Sequence, residues 1–365
     1  MKIQDITQFL DGVANPALQE SYDNAGLIVG NKDSECTGIL VTLDTIPEIV
    51  DEAIEKKCNL IVSHHPIIFR GLKKITGKNY VEQTVIKAIK KDIAIYAIHT
   101  NLDNLAEGVN SMLAKLFGLK DCRALSPKGN MLRKLVTFVP VAHAEDVRKA
   151  LFAAGAGGIG NYNECSFNVT GSGTFKAMPG AHPYVGEINE RHWEEEVRVE
   201  VIYPVYKESE LIKNLKSVHP YEEVAYYIQS LENTFSGIGS GLFGEMEEEV
   251  DEKTFLGMAK DRLKAKVIRH TRLLNRPVKK VAVCGGSGFF LLPEAKSVGA
   301  DVYITADVKY HEFFDADGDI VLIDAGHFET EQFTIELLAD ILQKNFPNFA
   351  VQKTGHSTNP VSYFI

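Results

Sequence analysis

The sequence predicts an α/β protein of mixed, mostly parallel sheets covered by helices. N- and C-terminal segments build these sheets, and a ferredoxin-like α+β domain is inserted between the segments. Three observations predict it. Residues 1–124 alternate short, continuous apolar runs with amphipathic stretches of helical period, the pattern of strands buried on both faces. Residues 240–365 repeat that grammar. Residues 125–239 between them change to a βαββαβ order with an exposed, alternating strand.

In chain order, residues 38–43 read as a buried strand and 47–57 as a helix with Ile49, Val50, Ala53 and Ile54 on one face. Residues 60–63 form the next strand, 81–91 a helix and 93–98 another apolar strand. The insert opens and closes at turn residues, Ser126-Pro127-Lys128-Gly129 and Ser236-Gly237-Ile238-Gly239-Ser240-Gly241. Within it, 134–140, 164–175, 197–204 and 223–228 read as strands, and 144–154 and 209–218 as helices. The acidic run 245–252 reads as a solvated turn and helix start, with no ligand role. Strands follow at 281–284, 301–305, 320–323 and 349–352, and helices at 291–298, 309–315 and 329–345.

The chain has 365 residues, a net charge of -10 and an ordinary 45% of hydrophobic residues. A core of that size needs no disulfide or metal staple, so a bound metal would serve chemistry or local order. The negative balance argues against a nonspecific grip on nucleic acid or an anionic membrane, though not against a nucleotide substrate. Five scattered cysteines without a C-x-x-C pair exclude a disulfide framework and a zinc ribbon. The opening residues, Met1-Lys2-Ile3-Gln4-Asp5, do not read as a secretory signal, and no apolar run approaches bilayer length. A cytoplasmic protein is expected.

Ligands in parallel α/β sheets gather at the carboxyl ends of strands. Three strand exits carry metal-binding side chains. His64-His65 follows 60–63, His99-Thr100-Asn101-Leu102-Asp103 follows 93–98, and Asp324 through Glu331 follows 320–323. They are expected at the same edge of one sheet. His327 and Glu331, four apart at a helix start, share a face with Cβ atoms roughly 5–6 Å apart. His64, His65, Asp103, His327 and Glu331 exceed the three protein ligands of an open catalytic zinc. They suit two divalent cations about 3.5–4 Å apart per subunit, with Glu331 bridging. The pairs expected are His65 with Asp103 and His64 with His327. Zinc is favoured; iron(II), manganese or cobalt would also accept such N/O ligands.

His99 and His311 are candidate catalytic groups. His99 is a further ligand, a supporting group or an acid/base residue, and a structural hydrogen bond explains it equally well. His311 either faces the same pocket or lies on an ordinary amphipathic helix. Gly285-Gly286-Ser287-Gly288 either offers backbone amides to a phosphate or makes a tight turn. His219-Pro220-Tyr221-Glu222-Glu223 either marks a small ligand site or shapes a turn.

Four segments together resemble the Nif-three-like family, also known as GTP cyclohydrolase 1 type 2 homologues. They are Ser21-Tyr22-Asp23-Asn24-Ala25-Gly26-Leu27, Ser63-His64-His65-Pro66, His99-Thr100-Asn101-Leu102-Asp103 and Gly326-His327-Phe328-Glu329-Thr330-Glu331. The insert resembles the PII/CutA-like domain of longer bacterial members. The resemblance implies a dinuclear metal site on His64, His65, Asp103, His327 and Glu331. It also implies a toroidal homohexamer with those sites facing its cavity. The expected function is metal-dependent hydrolysis of a nucleotide or phosphorylated small molecule. The alternative is a metal-dependent regulatory protein whose insert senses a small molecule.

Overall fold

The computed structural model describes residues 1–235 and 237–364. The chain divides into two compact units, residues 1–127 with 237–365 and residues 128–236.

The first unit is built on two sheets. One has five strands in the order Gly26–Val29, Ala94–Ala97, Leu60–Ser63, Ile39–Thr42, Val351–Lys353. All its pairings are parallel except that of Gly26–Val29. Ile39–Thr42, Leu60–Ser63 and Ala94–Ala97 are buried at every position, as continuous apolar runs require. Val41, Val62 and Tyr96 pack on one face with Ile6, Leu10, Leu338 and Leu342, from helices Ile3–Val13 and Thr334–Asn345. Leu40, Ile61 and Ile95 pack on the other with Ile49, Val50 and Val85, from helices Pro47–Glu55 and Tyr80–Lys90. Each fully buried aliphatic side chain contributes about 1.5–3 kcal/mol, so the alternation along each strand fixes both faces.

Helix Tyr80–Lys90 shows how a loop is locked to such a layer. The Asn79 side chain accepts from Glu82 N, and Glu82 Oε2 accepts from the backbone N–H groups of Thr76 and Lys78. Those donors hold the Glu82 carboxyl down at about 2. A depressed carboxyl stabilises the fold above its unfolded value, near 4.5, and loses that contribution as pH falls toward 2. The difference in thermal midpoint between the wild type and Glu82→Gln should therefore be widest above about pH 5 and narrow on acidification, measured by circular dichroism.

The second sheet has six strands in the order Arg269–His270, Val321–Asp324, Val302–Ala306, Val278–Ser287, Gly239–Val250, Lys120–Pro127. The Val278–Ser287, Val302–Ala306 and Val321–Asp324 strands are parallel, and antiparallel strands flank them. The acidic run is corrected here, because 245–250 belongs to a strand and not to a turn. Met246 is buried between the exposed Glu245 and Glu247, the alternation of a strand with one wet face. The expected helix 329–345 is broken into His327–Glu331 and Thr334–Asn345, with Phe333 at φ -74°, ψ -10° between them. The expected helix 309–315 is a 3-10 turn, Tyr310–Ala316, ended by left-handed Asp317. Among the described residues no helix is long and apolar enough to cross a membrane.

The second unit holds an antiparallel sheet in the order Phe167–Lys176, Arg191–Pro204, Leu132–Pro140, Tyr226–Leu231. Helices Ala144–Ala153 and Glu208–Val218 cover one face through Val147, Leu151, Leu211 and Leu215, packed on Leu135, Val139, Val197 and Val199. This is the split βαβ arrangement. Residues 120–127 and 239–250 lie in paired strands of the first unit. The compact insert is accordingly 128–236, slightly shorter than the expected 125–239.

Candidate metal centre

Both sheets of the first unit aim their carboxyl ends at one cavity of about 920 Å³. This corrects the expectation of one sheet edge. His64, His65, His99 and Asp103 follow strands of the five-stranded sheet, whereas His327 and Glu331 follow a strand of the six-stranded sheet. The backbone N–H of His65 donates to Leu43 O at 2.9 Å, so the tandem histidines prolong the ladder and their side chains are fixed. Gly326, at φ 95°, turns the chain from Val321–Asp324 into helix His327–Glu331. Such a φ suits glycine.

The five expected ligands lie together. His64 Nε2 is 3.5 Å from Asp103 Oδ1 and 3.9 Å from Glu331 Oε1. Glu331 Oε2 is 2.9 Å from His65 Nε2 and 3.0 Å from His327 Nε2, and those two nitrogens are 3.4 Å apart. The shortest approaches thus group His65 with His327 around one Glu331 oxygen, and His64 with Asp103 near the other. The expected pairing was different. His99 joins from the side, its ring centroid 5.3 Å from those of both His64 and His65. His64, His65 and His99 form one candidate metal-holding group, and His65, His327 and Glu331 another.

Buried charge sets the electrostatics. Desolvation lowers His64 to about 3. Its Nδ1 lies 2.9 Å from Ile98 O, so Nδ1–H donates there and the Nε2 lone pair faces the cluster. Burial opposes charge on His65 and His327, but Asp44 and Glu331 raise the first to about 10, and Glu331 and Asp307 the second to about 11. Burial, then repulsion from Glu331, pushes the Asp103 carboxyl well above the usual carboxylate range. Burial works against the charge on Glu331, yet the adjacent imidazoles hold its carboxyl well below that range.

His64 Nε2 and Glu331 Oε2 have no solvent access and no partner in hydrogen-bond geometry. The close imidazole approaches to Glu331 are ion-pair contacts. A buried acceptor left unsatisfied costs about 1–3 kcal/mol. An orphaned imidazole lone pair aimed into one cluster of imidazoles and carboxylates fits divalent cations of borderline softness, with no thiolate required.

Residues 1–360 match the model of Duf34/NIF3 (NGG1p interacting factor 3). The chain belongs to the Duf34/NIF3 family. A relative from Bacillus subtilis (strain 168), named GTP cyclohydrolase 1 type 2 homolog, is 38% identical and aligns over 99% of this chain and 98% of its own length. One of the same name from Staphylococcus aureus (strain MSSA476) is 34% identical over the full length of both. The crystal structure of a Bacillus cereus protein related to NIF3 superposes with TM-score 0.88 at 36% identity, covering 100% of this chain and 99% of the other.

In this Duf34/NIF3 chain each metal-facing imidazole has a partner behind it. Asp44 Oδ1 takes His65 Nδ1, Asp307 Oδ2 takes His327 Nδ1 and Asp23 Oδ1 takes His99 Nδ1, each at 2.7 Å. Sequence reasoning gave these carboxylates no role. Yet Asp44 stands just past strand Ile39–Thr42 and Asp307 just past Val302–Ala306, so the strand-exit rule reaches both. Asp23 lies in an irregular segment, where only the family motif pointed to it. Carboxylates in this position fix the tautomer and orientation of a ligating histidine. Asp44→Asn and Asp307→Asn should each weaken zinc binding by about 10–100-fold, read by competition with a chromophoric chelator.

Two expectations fail here. His311 is exposed, with its ring against Tyr310 and Phe314, and it does not line the cavity. The 3-10 turn that carries it holds it outside. The three glycine amides of the 285–288 loop are not open to phosphate. Those of Gly285, Gly286 and Gly288 donate to Asn110 Oδ1, Thr330 Oγ1 and Thr305 Oγ1 at 2.9–3.0 Å. They tie the strand end to Val109–Leu116, His327–Glu331 and Val302–Ala306 in turn instead.

Proposed function

We propose that this Duf34/NIF3 chain is a metal-dependent hydrolase of a nucleotide or phosphorylated small molecule. His64, His65, Asp103, His327 and Glu331 would hold two divalent ions. The observation that carries the reading is the buried His64 Nε2, an acceptor without a hydrogen-bond partner, beside Glu331, which lines a cavity wide enough for a substrate. Bound divalent ions would supply a water of lowered pKa and positive charge for an anionic electrophile.

The chain's own groups do the rest. His99 Nδ1 is tied to Asp23, which leaves Nε2 to take or give a proton beside the cluster. Tyr22, Phe69 and Phe290 line the cavity with exposed rings, a surface on which a flat heterocycle stacks. Among the described lining residues the one Lys or Arg is Arg269, and it is committed to Asp324. Side chains therefore offer phosphate no free cation, and the Asp and Glu residues of the wall repel it. This supports a substrate whose anionic group is bound only when the metal sites are filled.

The test is elemental analysis of protein purified without added metal, then a screen of GTP, other nucleotides and phosphoesters with and without chelator. Chelator-sensitive turnover lost in His64→Ala supports the proposal. Metal-replete protein inert toward the whole screen, or turnover indifferent to His64→Ala, overturns it.

A further inference from the structure

The unit 128–236 has a cavity of its own, of about 620 Å³, on the sheet face away from its two helices. Phe138 is in register with Arg198, Val169 with Arg198, and Gly171 with Glu196. Cross-strand partners share a face, so these residues form one surface. The segment 177–190 borders it, held by Asn189 N donating to Ala177 O and His182 N donating to Glu222 Oε1, each at 2.7 Å. Rings wall it: Phe175 and Tyr184 lie 6.0 and 6.3 Å from Tyr221, and Phe138 lies 5.6 Å from Tyr227.

Two features of this surface do not serve the fold. Glu196 is only 8% exposed, and among the described residues no Lys, Arg or His side chain pairs with it. Its Oε1 accepts from Tyr221 O–H at 2.9 Å, while Oε2 lies over Gly173, where a Cβ would come within 2.1 Å of it. A carboxylate buried without a cation is costly. Gly171 is the second feature. Glycine weakens a strand, and in a strand interior it marks the close approach of a ligand or another backbone. An added Cβ at Gly171 would meet nothing within 4 Å, so the space is left open and nothing in the unit's own packing requires it.

We propose that this cavity binds a small organic cation of the amidinium or ammonium class, its charge on Glu196 and its body against the Phe138, Phe175, Tyr221 and Tyr227 rings. Aromatic faces attract cations, and an amidinium presents parallel N–H donors to a carboxylate. The wall carries three carboxylates, Glu196, Glu222 and Glu223, against two cations, Lys176 and Arg198, so its balance is negative. Of the two cations, Arg198 is already paired with Glu200 at 2.8 Å. The inference does not depend on the metal centre.

Titration calorimetry on the full chain tests it, with benzamidinium as the probe and neutral benzamide as its shape-matched control. Benzamidinium should bind, with benzamide at least about tenfold weaker, and Glu196→Gln should weaken benzamidinium at least about tenfold. Gly171→Leu should abolish binding by filling the space. Because Glu196→Gln is isosteric, it keeps the test decisive if Gly171→Leu fails to fold. Equal binding of the two probes, no binding up to about 10 mM, or affinity indifferent to Glu196→Gln overturns the proposal. Binding that falls as light scattering detects self-association also overturns it, because a second copy then owns this face.

Discussion

Glu331→Gln is expected to lower bound metal from two ions to at most one per chain and to cut turnover at least about 100-fold. Glutamine preserves shape and removes the charge. Glu331 reaches both halves of the cluster, through Oε2 at 2.9 and 3.0 Å from His65 and His327 and through Oε1 at 3.9 Å from His64. Of the two carboxylate candidates it is the one whose charge survives burial, because imidazoles surround it, while Asp103 is driven toward its neutral form. Removing it leaves His65 and His327 with nitrogens 3.4 Å apart and no carboxylate between them. Mass spectrometry of metal content beside steady-state kinetics reads both effects. A variant retaining two ions and full turnover would remove Glu331 from the site.

Gly286→Val is expected to be nearly as severe without replacing a ligand candidate. Gly286 sits at φ 61°, where a β-branched residue is strained by about 1–3 kcal/mol. Its Cβ would stand 2.2 Å from Glu331 Oε1 and 3.2 Å from His327 Cε1. The carboxylate must move, and metal affinity should fall at least about tenfold along with the thermal midpoint. Gly257→Ala is the control. That glycine lies inside helix Glu252–Arg262 with nothing within 4 Å of an added Cβ, and alanine there should stabilise by about 0.4–1 kcal/mol. Equal metal affinity in wild type and Gly286→Val would show that the glycine serves the turn alone.

The parallel part of the fold was legible because its strands are buried on both faces, and a continuous apolar run has few other readings. The same runs located His64, His65 and His99 just past their strands, and Asp103 at the end of the short helix Thr100–Asp103 that follows Ala94–Ala97. What escaped was pairing between distant segments. Nothing local announces that Lys120–Pro127 and Gly239–Val250 extend a second sheet, and glutamates on a wet strand face look like a solvated turn. That hidden sheet is why one edge was expected where two meet. Asp44 and Asp307 escaped because a lone aspartate after a strand reads as a turn residue until its imidazole partner is seen. His311 misled for the opposite reason, since a 3-10 turn has a different period from the helix expected there, and its face is outward.

Pro127 and Gly239 are direct partners in one antiparallel ladder, at the points where the chain leaves for the insert and comes back. Ends so close need almost no span to join them. Excising the 111 intervening residues, 128–238, and splicing in an Asn-Gly turn would close an ordinary hairpin. The body with the candidate metal centre then becomes a stand-alone scaffold, and the same junction becomes a port into which a foreign module can be grafted.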